Sequence, residues 1–331
     1  MSYIAVIGAG SWGTTLACLL ADKGYDVSLW VYEKNLAEEI EKTGVNSVYL
    51  PGIKLPENMR VSHQIDEVVK KARYILNVVP AQFTRTVFKE ALPYLSDEAI
   101  IISASKGIER GTLLTISRVL KELTGHEIAV LSGPSFAKEV IKKIPSAVTL
   151  ATEDKNMGFI LQEVFNTGSF RVYRHDDILG VEIGGALKNV MSIASGISDS
   201  LSLGHNARAS LITRGLVEMS RLGVAMGAKE KTFTGLSGLG DLVLTCTSSL
   251  SRNYTVGIKL GQGMKLKDIL NQTKSVAEGV DTAESAYQLS LKYNIEMPIV
   301  EQVYKVIYEN KDPVLTVKDL LSRSLKSEFY G

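Results

Sequence analysis

The sequence predicts an α/β fold: a doubly wound parallel sheet in the N-terminal domain and an all-helical C-terminal domain. Three observations carry this. Short β-rich runs alternate with helical stretches up to about residue 175, the order that builds a sheet with helices on both faces. Several of the runs are continuously apolar, as strands covered on both faces are. Beyond Asp177 no convincing strand appears and long helical stretches take over. The division expected is residues 1–178 and 179–331, and 331 residues are enough for two cores.

The first element is a strand over Tyr3–Ile7, which runs straight into Gly8-Ala9-Gly10-Ser11-Trp12-Gly13. A helix from Thr14 to Ala21 and a second strand at Val27–Trp30 follow. Strand, glycine turn, helix, strand is the order of a dinucleotide-binding unit of the Rossmann type. Gly8 would allow the tight turn, Gly10 the approach of a pyrophosphate to the backbone, and Gly13 close packing of helix on strand. The helix N-terminus would add free N–H groups and partial positive charge.

Further strands are expected at Tyr74–Val78, Ala99–Ser103, Ile128–Leu131, Ala147–Ala151 and Phe170–Tyr173, with helices at Leu36–Thr43, Gln64–Ala72 and Leu113–Leu123. The sequence does not reveal the strand order beyond the first two. In the second half helices are expected at Val181–Leu201, Ala207–Met226, Tyr254–Gly261, Leu266–Thr273, Thr282–Tyr293, Pro298–Glu309 and Val314–Ser324.

Composition excludes several classes. Basic and acidic residues number 37 and 36, so nothing favours nucleic acid or a membrane surface. Two cysteines, Cys18 and Cys246, argue against a disulfide framework and for a reducing cytoplasm. A strand starting at Tyr3 leaves no room for a signal peptide, and no apolar run is long enough to span a bilayer. His63, His126, His175 and His205 lack metal-ligand spacing, so no metal is expected, although His205 before Asn206 merits attention.

Chemistry concentrates in a few segments. Gly184 and Gly185 interrupt the long helix that opens the second half, at about 1 kcal/mol each relative to alanine. That cost goes with close packing or ligand approach, and Lys188 lies one turn further on the same face. Beside other cations in a cleft such a lysine has a lowered pKa and exchanges protons near neutrality, whereas a surface lysine would not. Glycines crowd Asp241 in Gly235–Thr247, where it could orient a lysine or substrate, or simply cap a helix. Ser251-Arg252-Asn253 opens a helix and suits a phosphate outside the dinucleotide, though an exposed arginine at a helix start is also common. Lys106-Gly107 and Ser132-Gly133-Pro134-Ser135 each follow a strand, at the carboxyl-end crevice where such sheets bind ligands.

Taken together, the chain is similar to the bacterial NAD(P)-dependent glycerol-3-phosphate dehydrogenases. GAGSWG at Gly8–Gly13, SKG at Ser105–Gly107, SGPSFAKE at Ser132–Glu139, GALKNV at Gly185–Val190, GLGDLVLTC at Gly238–Cys246 and SRN at Ser251–Asn253 match in order, over almost the whole chain. The resemblance implies reversible hydride transfer between NAD or NADP and dihydroxyacetone phosphate, giving sn-glycerol 3-phosphate for phospholipid synthesis. It implies Lys188 as general acid and base, Lys106 as oxyanion stabiliser touching cofactor and substrate, and Asp241 as the residue orienting substrate and tuning Lys188. It places Ser251, Arg252 and Asn253 on the substrate phosphate, with Gly133, Ser135 and Asn189 in the same pocket. Around the cofactor it places Gly8, Gly10, Ser11, Trp12 and Gly13, then Tyr32, Glu33 and Tyr49, then Lys106, Ala137, Arg252, Val276 and Glu278. It also suggests a homodimer in contact through the helical domain.

One stretch departs from the family pattern. Where relatives often carry an arginine or histidine for the 2′-phosphate of NADP, this chain has Tyr32-Glu33-Lys34. Glu33 favours a free 2′-hydroxyl and Lys34 pulls the other way, so cofactor preference stays open. Two other readings remain. One is another dehydrogenase of a small hydroxy acid or sugar phosphate, of which a substrate lacking phosphate would leave the SRN trio unexplained. A nucleotide-sensing regulator would not need Lys188, Lys106 and Asp241 together.

Overall fold

The computed structural model describes residues 3–272 and 276–328. Its first half runs β1 (Tyr3–Ile7), α1 (Ser11–Asp22), β2 (Asp26–Trp30), α2 (Lys34–Thr43), β3 (Met59–Ser62), α3 (Ile65–Val69), β4 (Tyr74–Asn77), α4 (Ala81–Ala91), β5 (Ile100–Ser103), α5 (Ile116–Thr124), β6 (Ile128–Ser132), α6 (Ala137–Val140), β7 (Ser146–Ala151), α7 (Lys155–Phe165) and β8 (Phe170–His175). These strands form one sheet in the order β3-β2-β1-β4-β5-β6-β7-β8. The chain winds outward from β1 in both directions, which puts the switch point between β1 and β4, beside the glycine turn.

Both faces of the sheet are covered, and this explains the unbroken apolar runs. Along β1, Ile4 and Val6 enter the core beneath α1, while Ala5 and Ile7 enter a separate core with Val68, Ile75 and Phe88. All pairings are parallel except β6 with β7. The segment between those two carries only the short α6, and β7 returns antiparallel.

The second half consists of α8 (Ile178–Ser200), α9 (Gly204–Ala225), α10 (Asp241–Cys246), α11 (Arg252–Gly261), α12 (Leu266–Asn271), α13 (Glu278–Tyr293), α14 (Pro298–Tyr308) and α15 (Pro313–Leu321), with no strand among the described residues. Helix α8 is buried on every side from Gly180 to Ser198, so it is the axis of this half. Asp177 starts it by accepting the Gly180 N–H, and also receives the Lys229 N–H and the Thr232 hydroxyl. Glu182 then ties α8 to the sheet half, accepting the Ser117 N–H at 2.8 Å at the start of α5.

Helices α8 and α11 meet through their backbones. A Cβ on Gly257 would stand 2.1 Å from the Ile193 carbonyl oxygen, and one on Gly196 would stand 2.1 Å from that of Tyr254. Either would force the helices apart, overpacking that costs about 1–3 kcal/mol.

Several elements differ from the sequence expectation. Strand β3 and helices α4 and α7 were not expected. β3 is a four-residue edge strand whose Met59 and Val61 pack against the core while Arg60 is exposed. Helix α4 follows Pro80, which fixes its first turn, and α7 is capped by Asp154. The helix expected at Leu113–Leu123 begins only at Ile116, because Glu109–Leu114 forms a tight turn with Leu113 at φ +61°. The helix expected at Gln64–Ala72 shrinks to α3, ended by Lys71 at φ +68°. Helix α13 starts at Glu278, before the expected Thr282. Thr273, the expected end of α12, lies outside the described residues.

Candidate active site

The glycine turn has strict steric requirements at two of its three glycines. Gly8 has φ +111°, and a Cβ there would stand 2.8 Å from the Val78 carbonyl oxygen. A Cβ on Gly13 would stand 1.9 Å from the Gly8 oxygen, so α1 can pack on β1 only with glycine there. Gly10 has nothing within 4 Å, and no side chain caps α1. With no side chain capping α1, its N-terminus is left to an outside acceptor, which fits an anionic pyrophosphate. The Trp12 ring packs on Phe170, centroids 6.3 Å apart, so its side chain serves the core and its backbone serves the turn. Ala137 opens α6 next door, its carbonyl accepting the Thr15 hydroxyl at 3.4 Å.

A residue not singled out from the sequence, Asn46, fastens the loop after α2 to this turn. Its side-chain amide donates to the Ala9 carbonyl and to Thr14 Oγ1, both at 2.9 Å, and its Oδ1 accepts the Tyr49 N–H. Tyr49 in turn accepts the Ser11 hydroxyl on its carbonyl at 2.6 Å and donates its own hydroxyl to Glu33 at 2.7 Å. Tyr32 is exposed beside Trp30.

At the carboxyl end of β5 and β6 the second cluster assembles. Lys106, past the end of β5, donates to the Gly133 carbonyl at 2.9 Å and to Asp241 Oδ2 at 2.5 Å. Ser135 donates to the same Gly133 oxygen at 3.0 Å. Gly133, at φ +143°, passes within 3.0 Å of the Val148 Cα, measured to the Cβ it lacks. Lys188 reaches Asp241 Oδ1 at 3.3 Å and donates to Thr245 Oγ1 at 2.9 Å. Asp241 thus faces both lysines with both oxygens and caps nothing, since Gly240 occupies the N-cap of α10.

The helix glycines make this convergence possible. A Cβ on Gly185 would stand 2.6 Å from Ser132 Oγ, and one on Gly184 would stand 2.6 Å from the Ser237 carbonyl oxygen. Lys188, Asp241 and Thr245 are all buried. Burial pulls Lys188 down to about 8, against the opposing charge of Asp241 and with help from the Lys106 charge. Burial would push Asp241 up, but the two lysines, Lys106 first, hold it below the usual carboxylate range. The cluster is two cations on one carboxylate: a preformed site for developing negative charge. Thr245 was missed in the sequence because a threonine inside an apolar helix carries no distinguishing signal. The i, i+4 spacing from Asp241 is what places it on the same face.

Ser251 caps α11 by accepting the Tyr254 N–H and hydrogen-bonds Ser192 of α8 at 2.9 Å. Asn253 accepts the Gly279 N–H at 3.0 Å, and Arg252 donates to the Val276 carbonyl at 3.2 Å. Asn189 lies one residue after Lys188, its amide 3.4 Å from the Lys106 carbonyl. Glu278 crosses to the sheet half, where its Oε1 accepts the Ala81 N–H at the start of α4. Burial pushes its carboxyl up. The site residues expected from the sequence thus lie at the glycine turn and α6, at the end of β2 with the Tyr49 loop beside it, or where the ends of β5 and β6 meet α8, α10, α11 and the start of α13. Among the described residues no group of three His, Cys, Asp or Glu side chains is placed to hold a metal.

Comparison with known proteins gives the family. Residues 3–158 match the family model described as NAD-dependent glycerol-3-phosphate dehydrogenase N-terminus, and residues 177–318 match its C-terminus. The chain is 54% identical over 329 residues to a glycerol-3-phosphate dehydrogenase [NAD(P)+] of Syntrophotalea carbinolica, covering 98% of this chain and 99% of that one. It is 53% identical, at 98% coverage of both chains, to the protein of the same name from Geobacter sulfurreducens. The crystal structure of a glycerol-3-phosphate dehydrogenase from Coxiella burnetii superposes with a TM-score of 0.94 at 41% identity, over 97% of this chain and 99% of that one.

Proposed function

The chain belongs to the NAD-dependent glycerol-3-phosphate dehydrogenase family, and on that premise we propose that Lys188, Asp241 and Lys106 carry its chemistry. The reaction is reversible reduction of dihydroxyacetone phosphate to sn-glycerol 3-phosphate with NAD(P)H. The observation that supports the residue roles best is the buried pair of lysines sharing one carboxylate. When bound, the nicotinamide supplies the hydride that reaches the substrate carbonyl carbon.

The protein's part is electrostatic and protonic. As the carbonyl oxygen gains charge, Lys106 and Lys188 stabilise it more than they stabilise the neutral ketone, which lowers the barrier. Lys188 then gives its proton to that oxygen and takes one back in the reverse direction. Asp241 and Thr245 fix the position of the Lys188 ammonium and keep it charged near neutrality. Ser251, Arg252 and Asn253, with the α11 N-terminus, hold the substrate phosphate, and Gly133, Ser135 and Asn189 line the space between. Binding energy from the phosphate orients the carbonyl for transfer. The residues of the glycine turn, with Tyr32, Glu33, Tyr49, Lys106, Ala137, Arg252, Val276 and Glu278, hold the dinucleotide.

Three coarser assignments complete the reading. Residues 1–178 form the cofactor domain and 179–331 the substrate domain. The product supplies phospholipid synthesis in the cytoplasm, where the two buried free thiols would stay reduced. The enzyme is a homodimer joined through its helical half, which exposes Leu203, Val314 and Leu321 around a cavity of about 530 Å³. Light scattering at monomer or dimer mass decides that last point.

Mixing the protein with dihydroxyacetone phosphate and NADH or NADPH should consume the reduced-nicotinamide absorbance. No loss with either cofactor rules out the assigned substrate. The pH profile tests the acid. With Lys188 titrating at about 8, kcat/KM for reduction should fall about tenfold per pH unit above that value. In the oxidation direction, which needs the neutral amine, kcat/KM should rise through the same value. Profiles flat between pH 7 and 9 in both directions would remove Lys188 from the proton-transfer role.

A further inference from the structure

The end of β2 holds a carboxylate under unusual control. Glu33 Oε1 accepts the Tyr49 hydroxyl at 2.7 Å. The carbonyl of the same tyrosine accepts the Ser11 hydroxyl at 2.6 Å, and Asn46 holds the Tyr49 N–H and the glycine turn together. One residue thus spans the distance between the pyrophosphate turn and the acidic side chain, on a loop that buried Asn46 pins down. Glu33 is exposed, and its Oε2 has no protein donor among the described residues. The adjacent cation faces elsewhere: Lys34 lies along α2 towards Glu38, 3.8 Å away.

We propose that the carboxylate of Glu33, positioned by Tyr49, makes this enzyme select NAD(H) over NADP(H). The proposal rests on the reading that the Gly8–Gly13 turn binds a dinucleotide. A ribose 2′-hydroxyl is a donor, and the unused Oε2 is the acceptor it needs. A 2′-phosphate brings about two negative charges and needs donors instead. At this position it meets a fixed negative charge, and the tyrosine proton that could have served it is already committed to Glu33. Burial, then the hydrogen bond to Glu33, pushes the Tyr49 hydroxyl up to about 12, so that proton stays in place through the physiological range. In this selection Glu33 contacts the ribose, and the Tyr49 hydroxyl acts by positioning Glu33.

Titration calorimetry with ADP-ribose and 2′-phospho-ADP-ribose tests the selection without relying on turnover. The wild-type protein should bind ADP-ribose at least about tenfold more tightly, the consequence of one uncompensated charge pair at the protein surface. Glu33→Gln should bring the two ligands within about threefold, mainly by improving the phosphorylated one, since removal of like charge is the cause. Tyr49→Phe should narrow the gap by weakening ADP-ribose, a pattern that general loosening of the loop would not give because that would weaken both ligands equally. Raising salt from about 0.05 to about 0.5 M should shrink the wild-type gap and leave that of Glu33→Gln unchanged. A wild-type protein that binds both ligands equally or prefers the phosphorylated one overturns the proposal, as does an unchanged ratio in Glu33→Gln. Binding of neither ligand would overturn the dinucleotide site and the selectivity with it, a result easily told apart from lost discrimination.

Discussion

In Lys188→Met, kcat for reduction of dihydroxyacetone phosphate should fall about 10³- to 10⁴-fold, the upper range for loss of a positioned general acid. Stability at pH 7 should hold or rise. Methionine keeps the length of the side chain, so little cavity forms among Asp241, Thr245 and their neighbours. The folded protein holds Lys188 down to about 8 from an ordinary value of 10.5. Between those values the unfolded chain binds a proton that the folded one does not, so stability climbs as pH rises from about 8 towards 10.5. Below that window the folded state carries the full cost of a buried ammonium, on the order of 3 kcal/mol. The substitution removes this cost and leaves Asp241 paired with Lys106. Single-turnover kinetics and thermal melts check both halves. A variant that loses activity together with several degrees of melting temperature would point to a packing role for Lys188 instead.

Asp241→Asn should behave in the opposite way. Two ammonium groups would then face a neutral amide in a buried site, and removing one member of such a cluster costs about 3–5 kcal/mol. The carboxylate is also what opposes the fall of the Lys188 pKa. Without it, the alkaline limb of the reduction profile should move from about 8 to below 7, and kcat at pH 7.5 should drop by more than about threefold. Rates recovered by lowering the pH would be the signature of this cause. A uniform loss at every pH would mean that Asp241 acts on the substrate alone.

The alternation of strands and helices, the glycine turn and the helical second half were legible because each depends on local pattern. Continuous apolar runs marked β1, β4, β5 and β6, whose two faces are covered. β3 escaped because its alternation of Met59 and Val61 with Arg60 and Ser62 spans only four residues. The site was legible in part for the same reason: glycines at 184 and 185 announced that something approached α8 closely. What approached was not legible. The Ser132 side chain, the Ser237 carbonyl and the bridge from Lys106 through Asp241 to Lys188 join residues far apart in the chain, and only the fold sets them side by side. Asn46 and Thr245 gave no warning, since their importance lies entirely in their partners.

The seam between α8 and α11 bears on the cost of binding. Where Gly196 and Gly257 let main chain rest on main chain, the seam itself holds no side chains to order, so the phosphate site proposed at the N-terminus of α11 stands on fixed backbone. Ordering a flexible side chain at a binding interface costs about 0.5–1.5 kcal/mol. Here the backbone's share of that entropy was surrendered at folding, and among the proposed phosphate ligands it is the exposed Arg252 that still has a side chain to order.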